Sequence, residues 1–117
     1  MVNIELLKED EITIISIIGD VDASSSIHLD EALTKLAEDP NVKYILIDGT
    51  HLNYISSAGL GVFMSYIEVF KTKSIQMVLY GLSAKVENVF QILGLDQLLT
   101  IAENKKEAKE KINEVQS

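Results

Sequence analysis

The sequence predicts an α/β domain with a mixed, mostly parallel sheet. An N-terminal hairpin opens it and about four helices cover it, in the order ββαβαβαβα. Three observations carry this reading. Residues 2–7 and 12–18 flank a charged tetrad, like the two arms of a hairpin. Residues 42–47 and 75–80 are apolar on both faces, as central parallel strands are. The stretches between strands repeat apolar residues at spacings of three and four, the helical period.

In order along the chain, Val2, Ile4 and Leu6 alternate with polar residues, as in a half-buried strand. Lys8-Glu9-Asp10-Glu11 is the turn. Ile12, Ile14, Ile15, Ile17 and Ile18 are β-branched and form the second strand, which Gly19 ends. A first helix carries Leu29, Ala32, Leu33, Leu36 and Ala37. It has a serine cap from Ser24–Ser26, with Asp30 and Glu31 expected in its first turn, at the positive end of its dipole. Pro40 marks the loop to the strand of Val42, Tyr44, Ile45, Leu46 and Ile47.

A second helix spans 57–71, with Leu60, Phe63, Ile67 and Phe70 on its inner stripe. The strand 75–80 follows. Ser83 caps a third helix bearing Val86, Val89, Phe90 and Leu93, and Gly94 stops it. A short strand at Leu98–Ile101 precedes a last helix from near Asn104, whose apolar face holds Ala108, Ile112 and Val115.

The chain has 117 residues and reads as one domain, 1–117. It is 47% hydrophobic, enough for a real core. It contains no cysteine, which removes disulfides, thiolate nucleophiles and cysteine metal sites. The first residues lack the basic stretch and apolar run of a signal peptide, and no apolar run exceeds four residues. A membrane span needs roughly 18. The expectation is a soluble, cytoplasmic protein. The formal net charge of −8 disfavours nucleic acid and anionic membranes, and steers the protein toward basic protein surfaces.

The segment with unusual chemistry is 48–61, which joins a buried strand to an apolar helix. Polar groups beyond strand ends in an open α/β sheet are where ligands sit. Ser56 and Ser57 fall where the helix begins, so their hydroxyls can accept from the free amides of the first turn. A hydroxyl there is also a good phosphoacceptor, because the amides and the dipole favour an added anion. Gly59 and Gly61 sit in the first turns, where glycine costs up to about 1 kcal/mol relative to alanine. Close approach of another backbone is one reason to accept that cost.

Other chemistries lack their residues. A hydrolase elbow needs Gly-x-Ser-x-Gly, and the residue two before Ser57 is Ile55. His28 and His51 have no triad context. No clustered metal ligands are visible, and no phosphate-loop lysine follows Gly59-Leu60-Gly61. No cofactor, metal or catalytic residue is expected.

The segment Ile55-Ser56-Ser57-Ala58-Gly59-Leu60-Gly61 resembles the signature of the bacterial anti-sigma factor antagonists, the family that defines the STAS domain. Three other segments match as well: Gly19-Asp20-Val21-Asp22, Ile45-Leu46-Ile47-Asp48, and the third-helix region of Leu82-Ser83, Val89-Phe90 and Leu93-Gly94-Leu95. The resemblance implies the STAS fold and a non-enzymatic binding module. Such a module binds an anti-sigma factor that is also a serine kinase, releases a sigma factor, and is switched off by phosphorylation. A serine phosphatase resets it.

Carried over by position, the phosphoacceptor is Ser57. The family's aspartate before the acceptor is Ser56 here, which makes Ser56 the second-choice acceptor. The implied partner surface comprises Asp20, Asp22, Ser24, Asp48, Ser56, Ser57, Gly59 and Gly61, with Asp22 and Asp48 expected near Ser57. The alternative is a non-switching STAS scaffold in a signalling or transport assembly, in which Ser57 is only a helix cap.

Overall fold

The computed structural model describes the backbone of residues 2–116 and the side chains of residues 2–112. Its strands are β1 (Val2–Glu9), β2 (Ile12–Val21), β3 (Tyr44–Asp48), β4 (Leu52–Ile55), β5 (Gln76–Tyr80) and β6 (Thr100–Ala102). Its helices are α1 (Ser26–Glu38), α2 (Ser57–Thr72), α3 (Ala84–Ile92) and α4 (Lys105–Gln116), with a 3-10 turn at Leu95–Gln97.

The sheet runs β1-β2-β3-β5-β6, and β4 pairs the far end of β2. Only the β1–β2 hairpin is antiparallel. The mixed, mostly parallel α/β sheet with four helices is therefore as the sequence predicts.

Side-chain alternation divides the core between the two faces of the sheet. Ile15, Ile17, Ile45, Ile47 and Leu79 face α1, α2 and α3, which contribute Leu29, Leu33, Leu60, Phe63, Val86 and Phe90. Ile14, Leu46, Val78 and Tyr80 face α4, which contributes Ala108 and Ile112. Val115, expected on the same face of α4, lies outside the described side chains. Glu9 pairs with Lys105 and Lys109 and ties α4 to the hairpin.

Several boundaries differ from the sequence expectation. The turn is two residues, Asp10-Glu11, with Asp10 at φ 57°, so Lys8 and Glu9 remain in β1. Gly19 does not end β2. It takes φ 100° beside a register shift, where Asn53 of β4 is the extra residue, and pairing resumes at Asp20. The segment Asp48–Ser57 is not all loop, since β4 lies within it. α1 begins at Ser26, so Asp30 and Glu31 fall in the second turn and its first turn holds no acid. The strand expected at 98–101 starts at Thr100, because the 3-10 turn after Gly94 takes up the preceding residues.

Candidate functional site

β2, β3 and β4 finish at the same end of the sheet, where α2 begins. The Ser56 amide donates to the Val21 carbonyl at 2.8 Å, which fastens the start of α2 to the end of β2. Ser56 is the N-cap: its backbone is extended and its Oγ accepts from the Gly59 amide at 3.2 Å. Serine and aspartate cap comparably well. The exchange of the family aspartate for Ser56 thus keeps the cap and removes a charge.

Ser57 is the first helical residue and is exposed. Among the described residues no hydrogen bond engages its hydroxyl. The two serines therefore have different occupations, since Ser56 holds the helix end and Ser57 presents a free hydroxyl beside the first-turn amides.

Asp22 follows Val21, so it lies at the same junction. Its carboxylate accepts from Ser25 Oγ and the Ser25 amide, each at 2.8 Å, and from Ser24 Oγ at 3.0 Å. The Ser25 hydroxyl, then its amide, then Ser24 hold this carboxyl down to about 2. In return, Ser25 Oγ accepts from the Asp22 amide at 2.9 Å, and the Asp22 carbonyl accepts from Ser26 N at 3.0 Å. This loop caps α1, and the N-cap residue Ser25 makes no side-chain cap of its own.

The sign of the pH effect follows from that shift. The ionised form of Asp22 is favoured in the folded state, so its contribution is present above its ordinary value of 3.8 and is lost as pH falls through about 2. Asp22→Asn is expected to be less stable than the parent at pH 5, with the gap closing toward pH 2. Urea unfolding across that range checks it, and a gap independent of pH refutes it.

Asp48 is placed differently. It shares the α4-side face of the sheet with Leu46 and accepts from the Thr50 amide at 2.9 Å and from Ser16 Oγ at 3.5 Å. Burial pushes its carboxyl up, but hydrogen bonds from Thr50 outweigh this and leave it below the usual carboxylate range. Burial, and then the charge of Asp48, pushes the Tyr80 phenol up. The structure thus brings Asp20, Asp22 and Ser24 to the Ser56 junction, and holds Asp48 through Ser16 and Thr50, on the sheet face opposite the one that carries α2.

The two glycines also separate. A Cβ on Gly59 would lie 2.7 Å from Ile55 Cγ1 and 2.8 Å from Val21 Cγ1, so this glycine lets α2 sit against β2 and β4. A Cβ on Gly61 would meet nothing within 4 Å. Gly61 lies one turn beyond Ser57 on the same face and leaves that surface low. Gly59→Ala is expected to cost about 1–3 kcal/mol from overpacking, less up to about 1 kcal/mol of helix propensity. Gly61→Ala is expected to stabilise by up to about 1 kcal/mol. Denaturant unfolding of both variants checks the pair, and equal signs refute the distinction.

Three exposed apolar side chains near this end were not picked out from sequence: Ile27 at 56%, Tyr54 at 46% and Met64 at 51%. Tyr54 pairs with Asp20 across β2–β4. Met64 lies two turns beyond Ser57 on the same face of α2. Ile27 and Met64 were readable as apolar residues off the inner stripes of their helices. Tyr54 is hidden in the sequence because its strand has only four residues, too short a pattern to be told from loop.

Among the described residues no helix is long and apolar enough to cross a membrane, and no three histidine, aspartate or glutamate side chains stand together to hold a metal ion.

A parallel-majority sheet with α1–α3 on one face, α4 on the other and a serine at the start of α2 defines a class, and the family comparison agrees. The STAS domain model matches residues 3–108, and the chain belongs to that family. Within it, the chain groups by sequence with the anti-sigma factor antagonists. It is 31% identical over 101 residues to an anti-sigma-B factor antagonist of Listeria monocytogenes, covering 86% of this chain and 88% of that one. It is 26% identical over 101 residues to the anti-sigma-B factor antagonist of Staphylococcus aureus, covering 86% and 93%. Two solved structures share the fold. The unphosphorylated anti-sigma factor antagonist SpoIIAA matches with a TM-score of 0.71 at 18% identity, over 100% of this chain and 99% of that one. An anti-sigma factor antagonist from Mycobacterium paratuberculosis matches with a TM-score of 0.85 at 15% identity, over 97% and 95%.

Proposed function

We propose that this chain is an anti-sigma factor antagonist whose complex with a partner kinase is ended by phosphorylation of Ser57. The observation that carries the reading is the division of labour between the adjacent serines. Ser56 supplies the cap, so the exposed Ser57 hydroxyl is free for another use. The scaffold alternative gave Ser57 the cap, and Ser56 holds that place.

The partner surface comprises Asp20, Asp22 and Ser24, the start of α2 with Ser56, Ser57, Gly59 and Gly61, and the flanking Tyr54 and Met64. Asp48 supports the loop after β3. The partner is an anti-sigma factor that is also an ATP-using serine kinase. In the transfer, Ser57 Oγ bonds to the γ-phosphorus of ATP, the bond from that phosphorus to the ADP oxygen breaks, and the hydroxyl proton passes to a base of the kinase.

The new group carries about −1.5 to −2 charge at pH 7. First-turn amides and the helix dipole stabilise it, so the fold persists. The interface does not, because a doubly charged group and the neighbouring aspartates now face the partner. A serine phosphatase restores the hydroxyl. The chain itself binds rather than catalyses, and works in the cytoplasm without nucleic acid or membrane.

The test is intact-mass and peptide mapping after incubation with ATP and the anti-sigma-type kinases of the same genome. One phosphate is expected, absent in Ser57→Ala and retained in Ser56→Ala. The latter variant should lose about 1 kcal/mol of stability with its cap. Phosphate on Ser56 alone, or none from a kinase that binds the protein, overturns the assignment.

A further inference from the structure

The strands that end the sheet differ in length. β4 and β6, each paired on one side, have four and three residues. β1 has eight, paired to β2 without a break from Val2 opposite Gly19 to Glu9 opposite Ile12. Its other side is therefore a long row of backbone N–H and C=O groups with no strand beside it. Proteins blunt such edges with short strands, prolines or bulges. β1 has no proline and no register shift.

Both faces of this edge also carry an open apolar side chain. Leu6 is 54% exposed and Leu7 is 56% exposed. Alternation sends Leu6 to the α1 side with Val2 and Ile4, and Leu7 to the α4 side with Glu9. Beside Leu6 a groove of about 310 Å³ runs between β1 and α1. Val2, Ile4 and Leu6 form its floor, and His28, Glu31 and Lys35 stand on its rim.

Charge decides what can pair here. Two copies of a chain with net charge −8 repel one another. β1 is locally neutral, because Glu9 is held by Lys105 and Lys109 and the charges of Glu5 and Lys8 cancel. The groove rim likewise holds both signs. A second copy thus meets no like-charged field at this edge.

We propose that β1 pairs antiparallel with β1 of a second copy, about a two-fold axis at Leu6, so that the two sheets continue as one. An axis perpendicular to the sheet keeps each face continuous, so opposed residues are both even or both odd in number and one residue faces its own copy. Centring on Glu5 or Lys8 sets like charges opposite, and centring on Leu7 sets Glu5 opposite Glu9. Centring on Ile4 pairs only residues 2–6 and leaves Leu7 uncovered. Centring on Leu6 pairs residues 3–9, with Leu6 on Leu6, Leu7 opposite Glu5 and Lys8 opposite Ile4, and no like charges stand opposite. The contact lies on the β1 side of β2 and the Ser56–Ser57 junction on the β4 side, so it stands whether or not Ser57 is the phosphoacceptor.

The chain has no cysteine, so single cysteines report the register directly. Leu6→Cys is expected to form an inter-chain disulfide under mild oxidation, since opposed Cα atoms in a sheet are about 4.5–5.5 Å apart. Leu7→Cys and Ile4→Cys are expected not to, because their symmetry mates lie two and four residues along the second strand, beyond about 7 Å. Sedimentation of the parent chain from about 10 µM to about 1 mM should show a reversible monomer–dimer equilibrium, weak because one strand from each copy is a small interface. Added salt should tighten it by screening the repulsion between the net charges. Leu6→Glu, at an exposed position where folding is not at risk, sets two carboxylates opposite on the axis and should weaken the dimer at least about tenfold. A parent chain that stays monomeric, a dimer that salt weakens or that Leu6→Glu leaves unchanged, or cross-linking with no preference for Leu6→Cys each overturn the proposal.

Discussion

Ser57→Asp is expected to weaken binding to the partner kinase by more than about thirtyfold, while Ser57→Ala binds within about threefold of the parent. A charge set against a desolvated interface costs about 2 kcal/mol or more, and each 1.4 kcal/mol is about tenfold in affinity. Alanine removes a hydroxyl that no other side chain among the described residues uses, so the surface barely changes. Neither variant should unfold the chain, because Ser57 is exposed and Ser56 keeps the cap. Aspartate at the first helical position is even mildly favourable to the helix. Titration calorimetry against the kinase reads both variants, with circular dichroism as the folding control. Equal affinities for Ser57→Asp and the parent would remove Ser57 from the interface.

Phe63→Ala should cost about 3–5 kcal/mol, a large part of the roughly 5–15 kcal/mol that holds a domain of this kind together. Phe63 is 0% exposed, and its ring lies 5.9 Å from that of Phe90, tilted at 54°. The pair joins α2 to α3 over the sheet face that carries Ile45 and Ile47. No neighbour can fill the space without drawing one of these helices inward. The consequence reaches the site, because the same helix that loses its anchor at Phe63 presents Ser57 two turns earlier. Urea unfolding measures the loss, and a value below about 1 kcal/mol would contradict the packing assigned to α2.

The contrast between Gly59 and Gly61 shows where sequence reading stops. Both glycines stand in the first turns of an amphipathic helix, and the sequence gives one reason for both. The structure gives them different surroundings, Ile55 and Val21 against one and open space beside the other. The two serines are a second case. Either can cap a helix starting near residue 57, and only the extended backbone of Ser56, fixed by its bond to Val21, decides which one does.

What the sequence determined by itself was whatever local pattern controls. Periods of two and near 3.6 placed the hairpin, the both-face apolar strands β3 and β5 and the stripe of α2, because burial acts on each residue through its neighbours in the chain. The junction where α2 would begin, with its serines, was readable for the same reason. The tertiary structure alone decided β4, the continuation of β2 past Gly19 and the position of Asp48. Each depends on a partner far away in sequence. β4 exists because residues 52–55 meet residues 19–21, and four residues carry too little pattern to announce a strand without them. The side Asp48 takes is fixed by its register against Ser16 in β2, since a shift of one residue would turn it to the opposite face.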